Sequence, residues 1–438
     1  MSGDKSGPLS PAPPNPTSKH SAFSALRHRD FRLLWMGQLV SVTGSQMQLV
    51  AINWHIWLLT KSPLALGGVG LVRITPIILC SLIGGAVADV FDRKRLMIVT
   101  QSVMLASAAA LALITANGLH SIWPIYGLTA LASAASAFDG PARQSLLPAL
   151  VPIDEFTNAV SLGQVVFQVA MIAGPALSGF LLETHTPAIV YGINSISYLA
   201  VIIAIGLIRT SGTHSLGKGA GPRVSVESIR EGLMFVWRTP IIVQTMTLDF
   251  IATFFGSATT LLPIFADVVL KVGARGLGFL ASAPALGSLG AGLVMARIRS
   301  VRKQGPVVIV AICAYGVATI CFGLSHVFWL SLLTLACVGA SDTVSTVLRQ
   351  TIRQLVTPDY LRGRMTSVNM IFFMGGPQLG ELEAGTVAKF IGAPLSVITG
   401  GIGCVIAVAI AALNATNLRH YDTHLSHLPG AAVAPQEK

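Results

Sequence analysis

The chain has 438 residues, of which 53% are hydrophobic and 11% are charged. Because soluble domains carry about 25% charged residues, this composition excludes a soluble globular enzyme and a disordered chain. The long apolar runs indicate helices that span a membrane. The formal net charge of +11 would suggest a nucleic-acid partner in a soluble protein, so the positions of the basic residues decide its meaning.

Residues 1–24 are rich in proline and lack hydrophobic periodicity, which predicts a disordered N-terminal tail. Twelve apolar stretches of about the length that crosses a bilayer follow. They predict helices at 33–59, 64–88, 97–118, 121–139, 156–182, 189–208, 241–266, 276–296, 306–325, 327–347, 366–391 and 394–414. We therefore divide the chain into an N-terminal six-helix bundle at 25–209, a linker at 210–240, a C-terminal six-helix bundle at 241–418 and a cytoplasmic tail at 419–438.

The linker contains a predicted amphipathic helix. Val226, Ile229, Leu233 and Val236 recur at helical spacing, and charged residues occupy the other face. We expect this helix to lie on the membrane surface. A helix that binds calmodulin or another partner protein is the alternative.

Basic residues are distributed unequally between the two sides of the predicted bundle. Of the 29 lysines and arginines, 24 lie before the first helix, in the loops that follow even-numbered helices, or after the last helix. Four lie in the opposite loops, and Arg73 lies inside the second helix. The positive-inside rule therefore places both termini in the cytoplasm. The charge reflects membrane topology, and we expect no nucleic-acid partner.

The two halves of the chain repeat each other. An Arg-Gln pair begins at Arg143 and again at Arg349, and a proline follows each arginine nine residues later. Gly70 and Gly278 belong to a second set of glycines and prolines. This set recurs in the second half after about the same number of residues as the Arg-Gln pair. Duplicated six-helix halves are typical of transporters whose binding site lies between the repeats. The sequence thus predicts an all-α membrane protein with twelve transmembrane helices in two pseudo-symmetric six-helix bundles.

The loop after the second helix carries the most specific motif. Residues 85–95 resemble the signature loop of the major facilitator superfamily, Gly-x-x-x-Asp-(Arg/Lys)-x-Gly-x-(Arg/Lys)-(Arg/Lys), at Gly85, Asp89, Lys94 and Arg95. Asp92 stands where the signature motif has its second glycine, so we expect this turn to have a different geometry from the one that the motif forms. Residues 138–148, 358–367 and 380–385 are similar to the bacterial branch of that superfamily that includes the enterobactin exporter and macrolide efflux proteins.

The resemblance implies the fold of this superfamily and secondary active transport by alternating access. In the superfamily, the signature loop joins the two halves on the cytoplasmic side in the outward-facing state and releases them in the inward-facing state. By resemblance, this gating role falls to Asp89, Arg93, Lys94 and Arg95, with Asp139 and Arg143 as partners. A solvated loop that serves only as a topology signal is the alternative.

Four charged residues lie inside predicted membrane spans: Arg73, Asp249, Glu381 and Glu383. Each costs a few kcal/mol in a bilayer, so each needs a partner or a function. Arg73 and the glutamates have similar depths, and helices 2 and 11 face each other in the resembled fold. We predict that Arg73 pairs with Glu381 or Glu383 at an outer gate that opens on protonation. A static salt bridge is the alternative, and Asp249 is the alternative proton carrier.

Along helices 1, 4 and 7, polar residues recur at spacings of three and four, which indicates that these helices line a wet cavity. In the resembled fold, helices 1, 4, 7 and 10 line it. The candidates for substrate contact are Gln38, Gln48, Tyr126 and Asp249. Hydrogen bonding between helices is the alternative for each of them.

Signatures of enzymes and metal sites are missing from the sequence. The five cysteines lie in apolar runs without paired spacing, and no phosphate-binding loop, HExxH motif or nucleophile elbow occurs. We therefore expect no enzymatic activity, no cofactor and no metal.

These observations together predict a proton-coupled exporter of amphiphilic small molecules, such as a siderophore or a drug. Uptake or facilitated flux of a small metabolite or lipid is the first alternative, and a transport-inactive sensor or assembly protein is the second. We expect a monomer in a bacterial inner or plasma membrane. Its partners would be a small-molecule substrate, protons and the lipid bilayer.

Overall fold

The computed structural model describes residues 23–118, 120–210, 233–257, 259–298 and 301–414, apart from the side chains at 81–90, 359, 363, 367 and 371. The predicted C-terminal tail and nearly all of the predicted N-terminal tail lie outside these residues. Most of the predicted amphipathic linker helix does too. Its described part, residues 233–238, is helical, and Val236 is buried against the C-terminal half of the chain.

The described residues form twelve long helices, in agreement with the number predicted. They are α1 Arg29–Thr60, α2 Pro63–Val90, α3 Arg93–Ala116, α4 Trp123–Leu146, α5 Phe156–Thr184, α6 Pro187–Leu207, α7 Pro240–Phe255, α8 Gly273–Arg297, α9 Gln304–Leu324, α10 Phe328–Val356, α11 Arg362–Ile391 and α12 Ala393–Asn414. Three short helical turns, Thr259–Leu261, Leu262–Ile264 and Phe265–Val269, follow α7. Within the described residues, nine helical segments are long and apolar enough to cross a membrane.

Local chemistry explains several helix ends. Pro63, Pro187 and Pro240 each occupy the first helical position, where the missing N–H costs no hydrogen bond. Asp92 caps α3, because its Oδ1 accepts a hydrogen bond of 2.9 Å from the Arg95 N–H. Gly392 ends α11 with φ of 86°, a conformation that glycine adopts without steric cost.

The helices pack as two equivalent six-helix bundles. In the first bundle, α1 packs on α5 and α6, while α4 packs on α2 and α3. In the second, α7 packs on α11 and α12, while α10 packs on α8 and α9. The two bundles meet where α2 crosses α11 and where α5 crosses α8. These two crossings are related by the same pseudo-symmetry as the bundles.

The bundle has two distinct ends. At the end called the basic end, basic side chains cap the exposed carbonyls of helix C-termini: Arg93 Nη1 donates to Ser145 O at 2.8 Å and Lys94 Nζ to Ile208 O at 2.6 Å. The far end is the opposite one, where α1 ends at Thr60 and α8 begins at Gly273.

Glycines allow the bundles to approach closely near the far end. A Cβ built on Gly179 of α5 would lie 2.8 Å from the Cα of Gly278 in α8. A Cβ built on Gly385 of α11 would lie 2.8 Å from the Cα of Gly67 in α2. Real Cβ atoms do not fit at such distances, so both crossings require backbone-to-backbone contact between small residues.

Hydrophobic clusters show where the bundles are joined. One cluster includes Trp57 and Leu66 of the first bundle together with Phe265 and Leu277 of the second, and it lies in the far half. In the basic half, the clusters of the described residues are each confined to one bundle. The far half is therefore closed, and the bundles are separate toward the basic end.

Replacing Gly179 by alanine is expected to open the far end, because the new Cβ overlaps the Gly278 backbone and costs about 1–3 kcal/mol. A cysteine at Thr260, which is 2% exposed in the far half, reports opening through its rate of maleimide labelling in a protein without the five native cysteines. We expect Gly179→Ala to raise this rate by roughly 5- to 150-fold.

Gly192→Ala on α6 is the matched control for this experiment, since a Cβ at Gly192 meets no atom within 4 Å. It should leave the labelling rate of Thr260→Cys unchanged. Equal labelling rates in Gly179→Ala and Gly192→Ala would contradict the close crossing of α5 and α8.

Candidate functional site

A buried ion pair joins α7 to α10. Arg349 Nη2 lies 2.8 Å from Asp249 Oδ1, and the two side chains are 1% and 2% exposed. A single charge inside a membrane protein is costly, so each of these charges is stabilised by the other. The pair therefore couples the position of α7 to that of α10.

Two further charged residues extend this pair into the α7–α10 charge cluster, which consists of Asp249, Asp342, Arg349 and Arg353. Arg353 Nη1 lies 3.8 Å from Asp249 Oδ2. Arg349 Nη2 lies 4.0 Å from Asp342 Oδ1, and the Asp342 side chain is 46% exposed. Arg349 is thus placed between a fully buried carboxylate and one that reaches the surface of the bundle.

The cluster is not fully satisfied by hydrogen bonds. Arg349 Nη2 donates to Thr346 Oγ1 at 3.0 Å, but the Nε and Nη1 of Arg349 are buried without a hydrogen-bond partner, as is Asp249 Oδ2. Buried polar atoms without partners are costly in a low dielectric. A change in the charge of Asp249 would therefore change the energy of the whole cluster.

Arg349 and Arg353 lie in a helix, so their predicted position in the loop after helix 10 is wrong. Helix α10 extends to Val356, nine residues past its predicted end at 347. A hydropathy profile stops at such arginines because it treats every charge as solvated. The signal available in the sequence was the helical spacing of Asp342, Thr346, Arg349 and Arg353.

The first bundle holds an equivalent pair without the carboxylate. Gln38 lies nine residues after the start of α1, and Asp249 lies nine residues after the start of α7. Arg143 is the repeat partner of Arg349, and its Nη1 donates to Gln38 Oε1 at 2.5 Å. Arg143 lies within α4, which continues to Leu146, rather than in the predicted loop. The two bundles therefore place an arginine at the same point but give it different partners.

Two residues that were predicted to contact substrate form hydrogen bonds between helices in this structure. Gln48 is 9% exposed, and its Oε1 accepts a hydrogen bond of 2.6 Å from Asn194 Nδ2 of α6. Tyr126 donates its hydroxyl to Ala65 O of α2 at 2.5 Å. Their polar groups are already bonded inside the first bundle, so the alternative reading, hydrogen bonding between helices, describes both residues in this structure.

Arg73 and Glu381 lie close together where α2 crosses α11, but Arg73 does not form the expected ion pair with Glu381 or Glu383. A Cβ built on Gly70 would lie 2.7 Å from Glu381 Oε2, so this carboxylate rests against α2 one turn from Arg73. Arg73 still acts electrostatically on Glu381. Among the described side chains, the ion pairs within 4.0 Å include none between Arg73 and either glutamate. The expected direct pair is therefore not made in this conformation.

The signature loop is only partly described. Gly85 and Asp89 lie in the segment of α2 whose side chains are outside the described set, so the gating role of Asp89 stays a prediction. The substituted Asp92 builds the turn as the cap of α3, for which the backbone of Arg95 supplies the N–H. The side chains of Arg93 and Lys94 bond within the first bundle.

Asp139 does not serve as the expected partner of the loop in this structure. It is 6% exposed, and its Oδ1 accepts hydrogen bonds from Thr100 Oγ1 at 3.1 Å and Gln101 Nε2 at 3.0 Å. Both donors belong to α3, so Asp139 ties α4 to α3 inside the first bundle. The resemblance implied a gating role for Asp139 but gave no information about this pairing with α3.

A polar contact between the bundles at the far end was missed by the sequence analysis. Asp267 Oδ2 accepts a hydrogen bond of 2.8 Å from Trp57 Nε1 and forms a salt bridge of 2.8 Å with Lys61 Nζ. A second, longer salt bridge of 3.8 Å joins Arg275 to Glu183. These far-end contacts close the side of the molecule that faces away from the basic end.

Removing the Asp267 carboxylate is expected to loosen the far end by about 1 kcal/mol, since the salt bridge is exposed and one charged hydrogen bond accompanies it. Asp267→Ala should therefore raise the labelling rate of Thr260→Cys about fivefold. Part of the effect should disappear at high ionic strength, where the Lys61 contact is screened. Asp154→Ala, at an exposed acid of the basic end, is the matched control, and an equal rate in both variants would contradict the assignment.

Comparison with known proteins agrees with this architecture. A family model described as a transmembrane secretion effector matches residues 20–435. The multidrug efflux pump Tap of Mycolicibacterium fortuitum is 26% identical over 372 residues, which cover 82% of this chain and 89% of that protein. The enterobactin exporter EntS of Escherichia coli K12 is 22% identical over 395 residues, which cover 90% and 94%.

A solved structure shares the fold. The peptide transporter POT superimposes with a TM-score of 0.71 at 12% sequence identity, covering 89% of this chain and 94% of that one. The relatives confirm the superfamily and the branch predicted from the loop motifs. The chain therefore belongs to the transmembrane secretion effector family of the major facilitator superfamily, and it is a multi-pass membrane transporter.

Proposed function

We propose that this transporter exports amphiphilic small molecules in exchange for protons by alternating access, and that the Asp249–Arg349 pair couples the two fluxes. The observation that carries the proposal is the burial of this pair, with side chains 2% and 1% exposed at a separation of 2.8 Å. A carboxylate in this position has two states of very different energy, charged and paired or protonated and released.

The unequal distribution of lysine and arginine supports an orientation with both termini in the cytoplasm of a bacterial cell. The basic end is then cytoplasmic, and the far end faces outward. With its far half closed, the structure corresponds to the state that takes up substrate from the cytoplasm. Export requires that the far-end contacts of Asp267 break and that the basic ends of the bundles close.

Protonation of Asp249 would start this change. Neutral Asp249 no longer balances Arg349, whose other carboxylate is Asp342 at 4.0 Å. If Arg349 turns toward Asp342 on its own helix, the ionic link between α7 and α10 is lost, because Asp249 lies on α7 and both Arg349 and Asp342 lie on α10. The proton therefore acts on the packing of two helices that flank the space between the bundles.

Arg73, Glu381 and Glu383 are better placed for gating than for carrying the proton. Glu381 rests against Gly70 at the crossing of α2 and α11, so its position depends on whether the bundles are in contact. Separation of α2 from α11 would carry the Glu381 carboxylate away from Gly70 and Arg73. These residues thus respond to opening of the far end, while Asp249 responds to protonation within one bundle.

The substrate class rests on two considerations. The relatives Tap and EntS are a multidrug efflux pump and an enterobactin exporter, and the space between the bundles is bounded by helices with both apolar and polar faces. An amphiphilic organic molecule, either a drug or a siderophore, matches such walls.

The Asp249→Asn variant tests the proposal in cells loaded with ethidium or with a catechol siderophore. We expect wild-type export that a protonophore abolishes, and at least a tenfold loss of gradient-driven export in Asp249→Asn. Downhill exchange of the same compounds should persist, because the variant resembles permanently protonated Asp249.

Two controls make this experiment decisive. Asp154→Asn makes the same chemical change at an exposed position and should export like the wild type. Normal gradient-driven export by Asp249→Asn, together with its loss in a Glu381→Gln/Glu383→Gln variant, would move the coupling role to α11. Export by the wild type that ignores the protonophore would reject proton coupling.

A further inference from the structure

The equivalent arginines of the two bundles differ in charge balance. Arg349 is neutralised by Asp249 at 2.8 Å, whereas Arg143 bonds to the neutral amide of Gln38 at 2.5 Å. The described acid next to Arg143 on the same helix, Asp139, is occupied by two donors from α3. The guanidinium of Arg143, which is half-buried in the last turn of α4, thus has no carboxylate partner among the described side chains.

Gln38 is a second unsatisfied group at the same place. It is 7% exposed, and its Nε2 is buried without a hydrogen-bond partner. The orientation of this amide is fixed by chemistry, because a guanidinium has only donors and must face the Gln38 oxygen. Gln38 Nε2 is therefore a buried donor without an acceptor, and it lies beside the positive charge of Arg143.

The position of the pair allows a transported molecule to reach it. The Gln38–Arg143 hydrogen bond joins α1 and α4, which pack mainly on other helices of the bundle. A Cβ at Gly140, one turn before Arg143, would meet no atom within 4 Å, so this face of α4 borders open space. The bundles are separate toward the basic end, which opens that space to the side from which the substrate would enter.

We infer that Arg143 and Gln38 form a subsite for an anionic oxygen group of the transported molecule, such as a carboxylate or an ionised catechol. A carboxylate placed there accepts hydrogen bonds from Arg143 and from Gln38 Nε2 and supplies the charge that Asp249 supplies to Arg349. The inference rests on the proposed export function, since it assigns the substrate class of the same transporter.

Equilibrium binding to the full-length protein in detergent tests the subsite without any proton gradient. Fluorescein is the anionic probe, and ethidium is the cationic probe of similar size. Arg143→Gln removes the positive charge, and Gln38→Asp neutralises it by recreating the partner found at Asp249. We expect each variant to weaken fluorescein binding at least tenfold and ethidium binding less than twofold.

The charge-matched control is Arg209→Gln, at an exposed arginine of the basic end, which should bind both dyes like the wild type. Fluorescein that binds the wild type no more tightly than Arg143→Gln would overturn the subsite. A parallel loss of fluorescein and ethidium in both variants, or of the native thermal transition, would assign Gln38 and Arg143 to structure instead.

Two further readouts separate competing explanations. Displacement of fluorescein by phosphatidylglycerol, but not by benzoate, would assign the donors to a lipid headgroup and overturn the substrate subsite. Proton-driven ethidium export by the wild type is measured in parallel. Its absence in the wild type would reject the proposed function while leaving the binding result valid, so the two failures are distinguishable.

Discussion

The arrangement of this transporter depends on one constraint, that a charge within the membrane must have a partner. Asp249 and Arg349 satisfy it by forming a pair at 2.8 Å with almost no exposure. Taking two ions out of water is costly even when they are paired, so hydrophobic residues of the same size would give at least as stable a bundle. The pair is therefore better explained by function than by stability. Among the described side chains, the first bundle has no equivalent pair, which supports the same conclusion.

Comparison of the two halves separates the structural part of the site from its chemistry. Arg143 and Arg349 occupy equivalent places, and each points from the last turns of its helix back toward the centre of the bundle, as side chains in helices do. The partner residue alone differs, since Gln38 stands where the second bundle has Asp249. A carboxylate can gain and lose a proton, whereas an amide can only exchange hydrogen bonds. In the proposed cycle, the first bundle therefore recognises charge on the substrate and the second responds to protons.

The sequence predicts the scaffold of the protein better than its contacts. Hydropathy indicated the twelve helices, and the loop motifs indicated the family, because both signals are local. The pairing of Arg349 with Asp249 links residues 100 positions apart, and hydropathy placed Arg349 in a loop. Polar residues at helical spacing likewise show which side chains share a helix face. They do not show which residue of a neighbouring helix each one contacts, as the hydrogen bond between Gln48 and Asn194 illustrates. The contact of Trp57 with Asp267 depends on the π-helical turn at Phe265–Val269. No local sequence pattern predicts that turn.

The strength of the far-end contacts matches the energy that one proton can provide. A pH difference of one unit supplies about 1.4 kcal/mol per proton, and a membrane potential of 100 mV adds about 2.3 kcal/mol per charge. The salt bridges of Asp267 and Arg275 are exposed, and such pairs contribute about 0–1 kcal/mol each. The glycine crossings bring backbones together, but lipid competes for the same surfaces, so the hydrophobic effect adds little between helices there. In the proposed cycle, a far end closed by weak contacts of this kind can be opened by the charge change at Asp249.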